Sequence, residues 1–348
     1  MAINGPERRT VPTWSYIIVP METGASASSV LAPLLAGIVS VVVTKVLIRT
    51  RILPLDTPNE RSLHAVPVPR TGGIGIIIGF VAAAWWLHAS LALLVPAGLL
   101  AIASYLDDRH ALPASIRLVV HLLAAGIFLL LNGAPINAAI FVFLLLGIGW
   151  MTNSFNFMDG SDGLAGGMAV IGFSTYGLAS WMNGTSELGL LAWSIAAAAA
   201  GFLIFNFYPA KIFMGDVGSI PLGFLAGSFG ITGWLHGLWP LWFPLVVFAP
   251  FIVDTSITLV RRLLRGERIW EAHRKHYYQR LILAGWSHRK AAVAEYAFML
   301  MCAAAAMLCL RASPIVRLLA IATLAGAFTV AMRAIDLRWR QFSASAHD

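Results

Sequence analysis

Apolar stretches of about 20 residues recur along almost the whole of this 348-residue chain, and nothing else in the sequence constrains its fold as strongly. A helix needs roughly that length to cross the ~30 Å hydrocarbon core of a bilayer. The runs are continuously apolar and lack the period-two alternation of barrel strands, so the expected fold class is all-α and polytopic. Breakers divide the chain into about eleven spans, placed at 27–48, 72–89, 91–106, 117–132, 136–152, 164–182, 188–206, 217–235, 240–261, 291–311 and 314–334. Asn132-Gly133-Ala134-Pro135, Asn183-Gly184 and Ser313-Pro314 are the clearest turns between them.

Charge supports the same reading. Only 11% of residues are charged, less than half of what a soluble domain of ordinary composition carries. The expected organisation is a short external segment at 1–26, one membrane domain at 27–334 and a cytoplasmic tail at 335–348. Loops at 49–71, 107–116, 153–163, 207–216 and 262–290 connect spans on one face. The N-terminal stretch lacks a short apolar core with a small-residue cleavage site, so the first span is expected to serve for insertion. Cys302 and Cys309 sit seven apart on one apolar segment, which suits buried thiols rather than a disulfide. Small residues at 196–201 suit close helix packing, within the chain or between protomers of a homodimer.

If the N-terminus is external, 20 of the 24 Lys and Arg residues fall on one side. The positive-inside rule makes that side cytoplasmic. The net charge of +8 is therefore explained by topology and calls for no nucleic-acid partner. Asp56, Asp107, Asp108, Asp159, Asp162, Asp216, His273 and His276 fall on the same side. A transporter would be expected to carry ionisable groups near the midplane. His88, His121 and Asp254 lie within the spans, but toward helix ends or beside loop cations.

Acids beside membrane spans are costly and tend to have a function. Asp107 and Asp108 end the third span, where adjacent carboxylates repel unless a cation or proton separates them. Residues 153–167 contain Asn156 and two Asp-Gly pairs, Asp159-Gly160 and Asp162-Gly163. Such a turn can aim both carboxylates to one side, and its glycines admit close backbone approach to a ligand. The next loop carries Lys211, Phe213 and Gly215-Asp216-Val217-Gly218-Ser219 just before an apolar span. Glycine-rich backbone at a helix start favours phosphate, and an adjacent Asp suits Mg²⁺. The pattern is not a P-loop. In the long basic loop, His273-Arg274-Lys275-His276 allows zinc, but no third soft ligand is at hand. Phosphate or sugar binding, or attraction to anionic lipid, are the other readings of its cations. Arg61, His64 and Arg70 in the first loop are candidate anion ligands.

These five stretches, in this order, resemble the polyprenyl-phosphate N-acetylhexosamine-1-phosphate transferases. Asp-Gly-x-Asp-Gly-Leu-Ala at 159–165 and Phe-Met-Gly-Asp-x-Gly-Ser at 213–219 carry most of the likeness, which spans roughly 45–285. The resemblance implies a transferase of the bacterial inner membrane with its active site facing the cytoplasm. It would use Mg²⁺, with Mn²⁺ as a substitute, to pass a sugar phosphate from a UDP-N-acetylhexosamine to undecaprenyl phosphate, releasing UMP. It further implies Asp216 as a metal ligand, and Asp107, beside Asp108, as a base, an orienting group or a second ligand. Asn156, Asp159 and Asp162 would line the nucleotide–sugar site, with Phe213 against the uracil. His273 and His276 would lie near the sugar or phosphates, and Arg117 corresponds to a basic position. The last loop reads His-Arg-Lys-His-Tyr-Tyr-Gln-Arg, without the run of adjacent histidines of the phospho-N-acetylmuramoyl-pentapeptide translocase. That favours the branch initiating O-antigen and other surface polysaccharides, with GlcNAc, QuiNAc or FucNAc as the sugar. The peptidoglycan translocase is the alternative within the family.

Overall fold

A computed structural model describes residues 28–50, 55–56, 67–110, 112–133, 137–271 and 273–345. Arg61, His64 and the expected external segment at 1–26 lie outside the described residues. The architecture is a bundle of α-helices. The first half comprises α1 (Ala32–Thr50), α2 (Gly73–Trp86), α3 (Leu91–His110), α4 (Ala114–Leu131), α5 (Ala138–Phe157) and α6 (Leu164–Met182). The second half comprises α7 (Ser186–Asn206), α8 (Asp216–Leu235), α9 (Trp242–Val247), α10 (Ala249–Leu264), α11 (Tyr277–Leu283), α12 (His288–Cys309) and α13 (Pro314–Ser345). Two short strands, β1 (Leu55–Asp56) and β2 (Val68–Pro69), pair antiparallel between α1 and α2.

Among the described residues, seven helices are long and apolar enough to cross a membrane: α1, α3, α4, α5, α7, α12 and α13. At 14 residues, α2 would extend about 21 Å, short of a full crossing. The stretch expected to span 240–261 is not one helix but two, α9 and α10, meeting at Phe248. Pro250 opens α10, and its ring and missing N–H favour a helix start over a continuation. At the other end of the chain, α13 continues unbroken through the expected tail to Ser345.

Burial grades from the centre outward. Two-thirds of the apolar window of α7 (67%) is inside the protein, against 11% for α13, whose surface is left for lipid. Gly201 of α7 meets Gly37 of α1, so the small-residue face is used within the chain. Around Phe155, Phe248 and Phe251 the rings pack at 5.1–5.7 Å, which anchors the last turn of α5 and the loop that follows it. Cys302 and Cys309 are buried free thiols, as their spacing suggests.

Candidate active site

The site begins with a backbone clasp. The N–H of Phe213 donates to the Pro69 carbonyl (2.8 Å), and those of Gly72 and Gly73 donate to Phe213 and Met214 (2.8 and 2.9 Å). The exit of β2 thus runs beside the loop that precedes α8. A Cβ on Gly73 would stand 2.3 Å from the Gly218 Cα, so the first turns of α2 and α8 meet backbone to backbone. That contact explains the glycines on both sides of the clasp. It holds Arg70 over the start of α8, where Arg70 Nη2 lies 3.1 Å from both Asp216 Oδ1 and Asp108 Oδ1.

The end of α3 and the start of α4 supply the opposite wall. Asp107 accepts from the Leu112 N–H (2.6 Å) and from Arg117 Nη1 (3.3 Å). Arg117 also reaches to 3.9 Å from Asp216 Oδ2. Asp159, just past α5, completes the cluster and takes a hydrogen bond from Gly215. Four carboxylates, Asp107, Asp108, Asp159 and Asp216, thus converge on two guanidiniums whose side chains are 37–38% exposed. Burial first, and then Asp216, push the Asp159 carboxyl well above its ordinary range. Burial and Asp107 raise Asp216 as well, against the pull of Arg70 and Arg117. Both buried oxygens of Asp108 lack a hydrogen bond of regular geometry, although Arg70 pairs with one of them at 3.1 Å and the Val217 backbone N–H lies beside the carboxylate.

Those orphaned oxygens bear on the expected metal. Among the described residues no three His, Cys, Asp or Glu side chains form a ready-made ion cage. Mg²⁺ needs none, because it takes one or two carboxylates and completes its shell with phosphate and water oxygens. A buried carboxylate with no regular hydrogen bond, in a cluster with excess negative charge, fits such an ion. Asp107, Asp108 and Asp216 are all paired with arginines here, and of the three Asp108 alone takes no regular side-chain hydrogen bond.

The turn at 159–163 does not aim its two carboxylates together. Asp162 turns away, accepting from the Ala210 N–H (3.0 Å) and lying 3.6 Å from His288 Nδ1. Gly163, at φ +75°, swings the chain into α6, and Asp162 latches the loop between α7 and α8. Asn206 strengthens that latch, accepting from the Gly163 N–H and donating to the Ile212 carbonyl, both at 3.0 Å. Asn156 sits at the cluster's edge, accepting from Ser219 Oγ at 3.4 Å. Phe213 is half-buried and Lys211 is exposed.

The histidines form a separate corner. Asp254 Oδ1 accepts from the Tyr277 N–H (3.0 Å) and Thr258 Oγ1 (3.0 Å) and lies 3.1 Å from His276 Nδ1, while Oδ2 accepts from the Tyr278 N–H (3.2 Å). It therefore caps α11 and orients the buried imidazole of His276. That imidazole stacks on Phe157 at 5.8 Å, two residues before Asp159 in sequence. The Tyr278 hydroxyl donates to the Phe157 carbonyl (3.0 Å). The His273 ring lies 4.8 Å from that of His276, and burial, followed by His276, pulls its pKa down to about 4. At neutral pH His273 is thus an uncharged hydrogen-bonding group rather than a cation. Arg274 points elsewhere, into a basic pocket against α13. Sequence alone gave no role to Asp254 or Asn206. An acid inside an apolar span was the available signal for Asp254, and Asn206 carried none beyond its place beside a loop.

Residues 90–234 match the family described as Glycosyl transferase family 4, a segment that holds all four clustered carboxylates. The chain is 31% identical over 270 residues, 72% of its length and 75% of the relative's, to a Bacillus subtilis (strain 168) protein named as a probable undecaprenyl-phosphate N-acetylglucosaminyl 1-phosphate transferase. The chain belongs to the polyprenyl-phosphate N-acetylhexosamine-1-phosphate transferase family. It is also 29% identical over 284 residues, 73% of this chain and 74% of the relative, to the undecaprenyl-phosphate alpha-N-acetylglucosaminyl 1-phosphate transferase of Escherichia coli (strain K12). The decaprenyl-phosphate N-acetylglucosaminephosphotransferase of Mycolicibacterium smegmatis is 29% identical over 290 residues, covering 69% and 71% of the two chains. Membership makes this chain a membrane-embedded phosphotransferase, and the carboxylate cluster lies where its helices converge.

Proposed function

We propose that this transferase moves an N-acetylhexosamine-1-phosphate from a UDP-sugar to undecaprenyl phosphate on the cytoplasmic face of the inner membrane, releasing UMP. The observation that carries the reading is the cluster of Asp107, Asp108, Asp159 and Asp216 around Arg70 and Arg117, with the oxygens of Asp108 unsatisfied. Phosphoryl transfer depends on positioning and charge neutralisation more than on covalent help. The half-exposed guanidiniums can hold the phosphates of both substrates. Asp107 is already engaged by the Leu112 N–H and Arg117, which favours an orienting role over proton abstraction. A phosphate monoester has a second pKa near ~6, so the lipid phosphate arrives largely as an oxyanion and needs no obligatory base. Mg²⁺ held by Asp108 with Asp216 or Asp107 would supply charge neutralisation at the diphosphate. Asn156 and Asp159 would face the nucleotide–sugar. GlcNAc is the first sugar to try, given the names of the three relatives, with QuiNAc and FucNAc next. The product would begin an O-antigen or another surface polysaccharide.

The test incubates purified protein with undecaprenyl phosphate, Mg²⁺ and a panel of UDP-N-acetylhexosamines, scoring UMP. Release with one sugar, lost in Asp216→Ala and without Mg²⁺, is the expected result. No release with any sugar, while lipid and nucleotide both bind, would overturn the reading. Full activity in Asp216→Ala would remove the metal assignment.

A further inference from the structure

A second charged cavity lies apart from the carboxylate cluster. It measures about 320 Å³ and is walled by Arg261, Arg265, Arg274, Lys275, Arg280 and Arg340, with Asp336 and Trp339 completing the lining. None of the clustered carboxylates, Arg70, Arg117 or His276 lines it. Six cations against one carboxylate would repel one another and splay on an unconstrained surface. Here they are gathered. Asp336 of α13 binds Arg261 of α10 through both oxygens (2.8 and 3.1 Å) and Arg280 of α11 (2.8 Å). The Tyr277 ring stacks under both guanidiniums, at 5.3 and 4.9 Å. Lys275 is held by Glu267 at 2.7 Å. Among the described residues, Arg265, Arg274 and Arg340 have no carboxylate partner, so the pocket keeps a surplus of positive charge.

The geometry points to a site for the phosphate headgroup of an anionic phospholipid, between the ends of α10 and α13. Three observations favour a lipid over a soluble anion. The 32 residues of α13 extend about 48 Å, longer than the hydrocarbon core, so its last turns emerge where headgroups lie. Trp339 lines the pocket at that level, the position where Trp is enriched in membrane proteins. Beside the pocket, a cleft of about 410 Å³ between α10, α12 and α13 is lined by Phe298, Phe328, Met332 and Ile335. Tyr277 lines this cleft as well, while its ring carries two of the pocket's arginines. Apolar room for an acyl chain therefore adjoins cationic room for its headgroup, and basic pockets between helices at a cytoplasmic surface suit anionic lipid.

The test counts lipids retained by the purified full-length protein, using native mass spectrometry after exchange into phosphatidylglycerol or phosphatidylcholine. Wild type should retain phosphatidylglycerol preferentially. Arg265→Gln and Arg340→Gln should each weaken that retention by about fivefold, the fold-change of ~1 kcal/mol per basic residue, with phosphatidylcholine unaffected. Arg265→Lys should keep most of it. Equal retention of the two lipids by wild type would overturn the proposal without reference to any variant. Displacement of phosphatidylglycerol by inorganic phosphate would mean a soluble-anion site and overturn the lipid assignment. The readout does not involve transfer, so it stands or falls separately from the proposed reaction.

Discussion

The carboxylate cluster and the His276 corner lie on either side of the same α5 terminus, and they treat buried charge in opposite ways. Asp254 is 5% exposed, and its two oxygens are matched by two backbone N–H groups, a threonine hydroxyl and an imidazole. Asp108 is equally enclosed, yet it takes no hydrogen bond of regular geometry beyond its ion pair with Arg70 at 3.1 Å, and Asp107, Asp159 and Asp216 crowd it. A buried carboxylate that is fully hydrogen-bonded stabilises its surroundings, while one without donors costs stability. The corner is thus a finished piece of structure, and the cluster carries buried charge that is only partly matched. Unsatisfied charge marks where chemistry happens, and satisfied charge marks what holds it in place.

The largest effect should come from removing charge where it is unsatisfied. Asp108→Asn is expected to lower the rate of UMP release by about 10³-fold, comparable to losing a key electrostatic group in other active sites. It should leave the melting temperature unchanged or raised, because one of four mutually repelling carboxylates is gone. Loss of activity together with a marked drop in melting temperature would break the contrast, since Asp108 would then be structural.

Asp254→Asn should do the reverse. An amide cannot accept from all the donors that now converge on this carboxylate, and its NH₂ would face either the Tyr278 N–H or the group of three donors. Stability should fall by about 3 kcal/mol, the scale for a charged acceptor of buried hydrogen bonds, read as a lower melting temperature in detergent. Activity should fall by much less than in Asp108→Asn, through looser placement of His276. An Asp254→Asn protein that melts normally but is as inactive as Asp108→Asn would place the chemistry at the corner instead.

How much of this contrast is visible in sequence depends on the kind of signal. The helical membrane class follows from span length, which is local and additive along the chain. The convergence of Asp107, Asp108, Asp159 and Asp216 could be anticipated because the motifs fall on one face. Their division of labour could not. The turn at 159–163 is compatible with two parallel carboxylates, and only contacts from Ala210 and His288, far along the chain, turn Asp162 away. The break at Phe248 was foreshadowed by Pro250, but hydropathy averaged over the span conceals it. Asp254 shows the limit most clearly. Three of its four partners lie 22 to 24 residues further along, in a stretch that reads as a basic loop until α11 is seen to start there.

The smallest effect concerns the edge of the His276 corner. His273 Nδ1 accepts from the Lys275 N–H at 3.2 Å, so a proton there would turn the acceptor into a donor and break the bond. Burial, then His276, Arg262 and Lys275, hold the folded pKa to about 4, below the usual 6.5. A histidine depressed in the fold takes up its proton more readily when released, so its contribution to stability is complete above pH 6.5 and is lost as pH falls toward 4. Glu267, the nearest carboxylate, is held at about 2 by Lys275 and Arg262 and keeps its charge through that window. Amide exchange at Lys275, corrected for its intrinsic pH dependence, should therefore accelerate as pH is lowered between those values. The acceleration should be largely absent in His273→Gln, while His276 remains unchanged in that variant. Identical profiles for the two proteins would show that the titrating group is not His273. An acceleration confined to wild type would place it at His273, outside the hydrogen bonds that make the corner rigid.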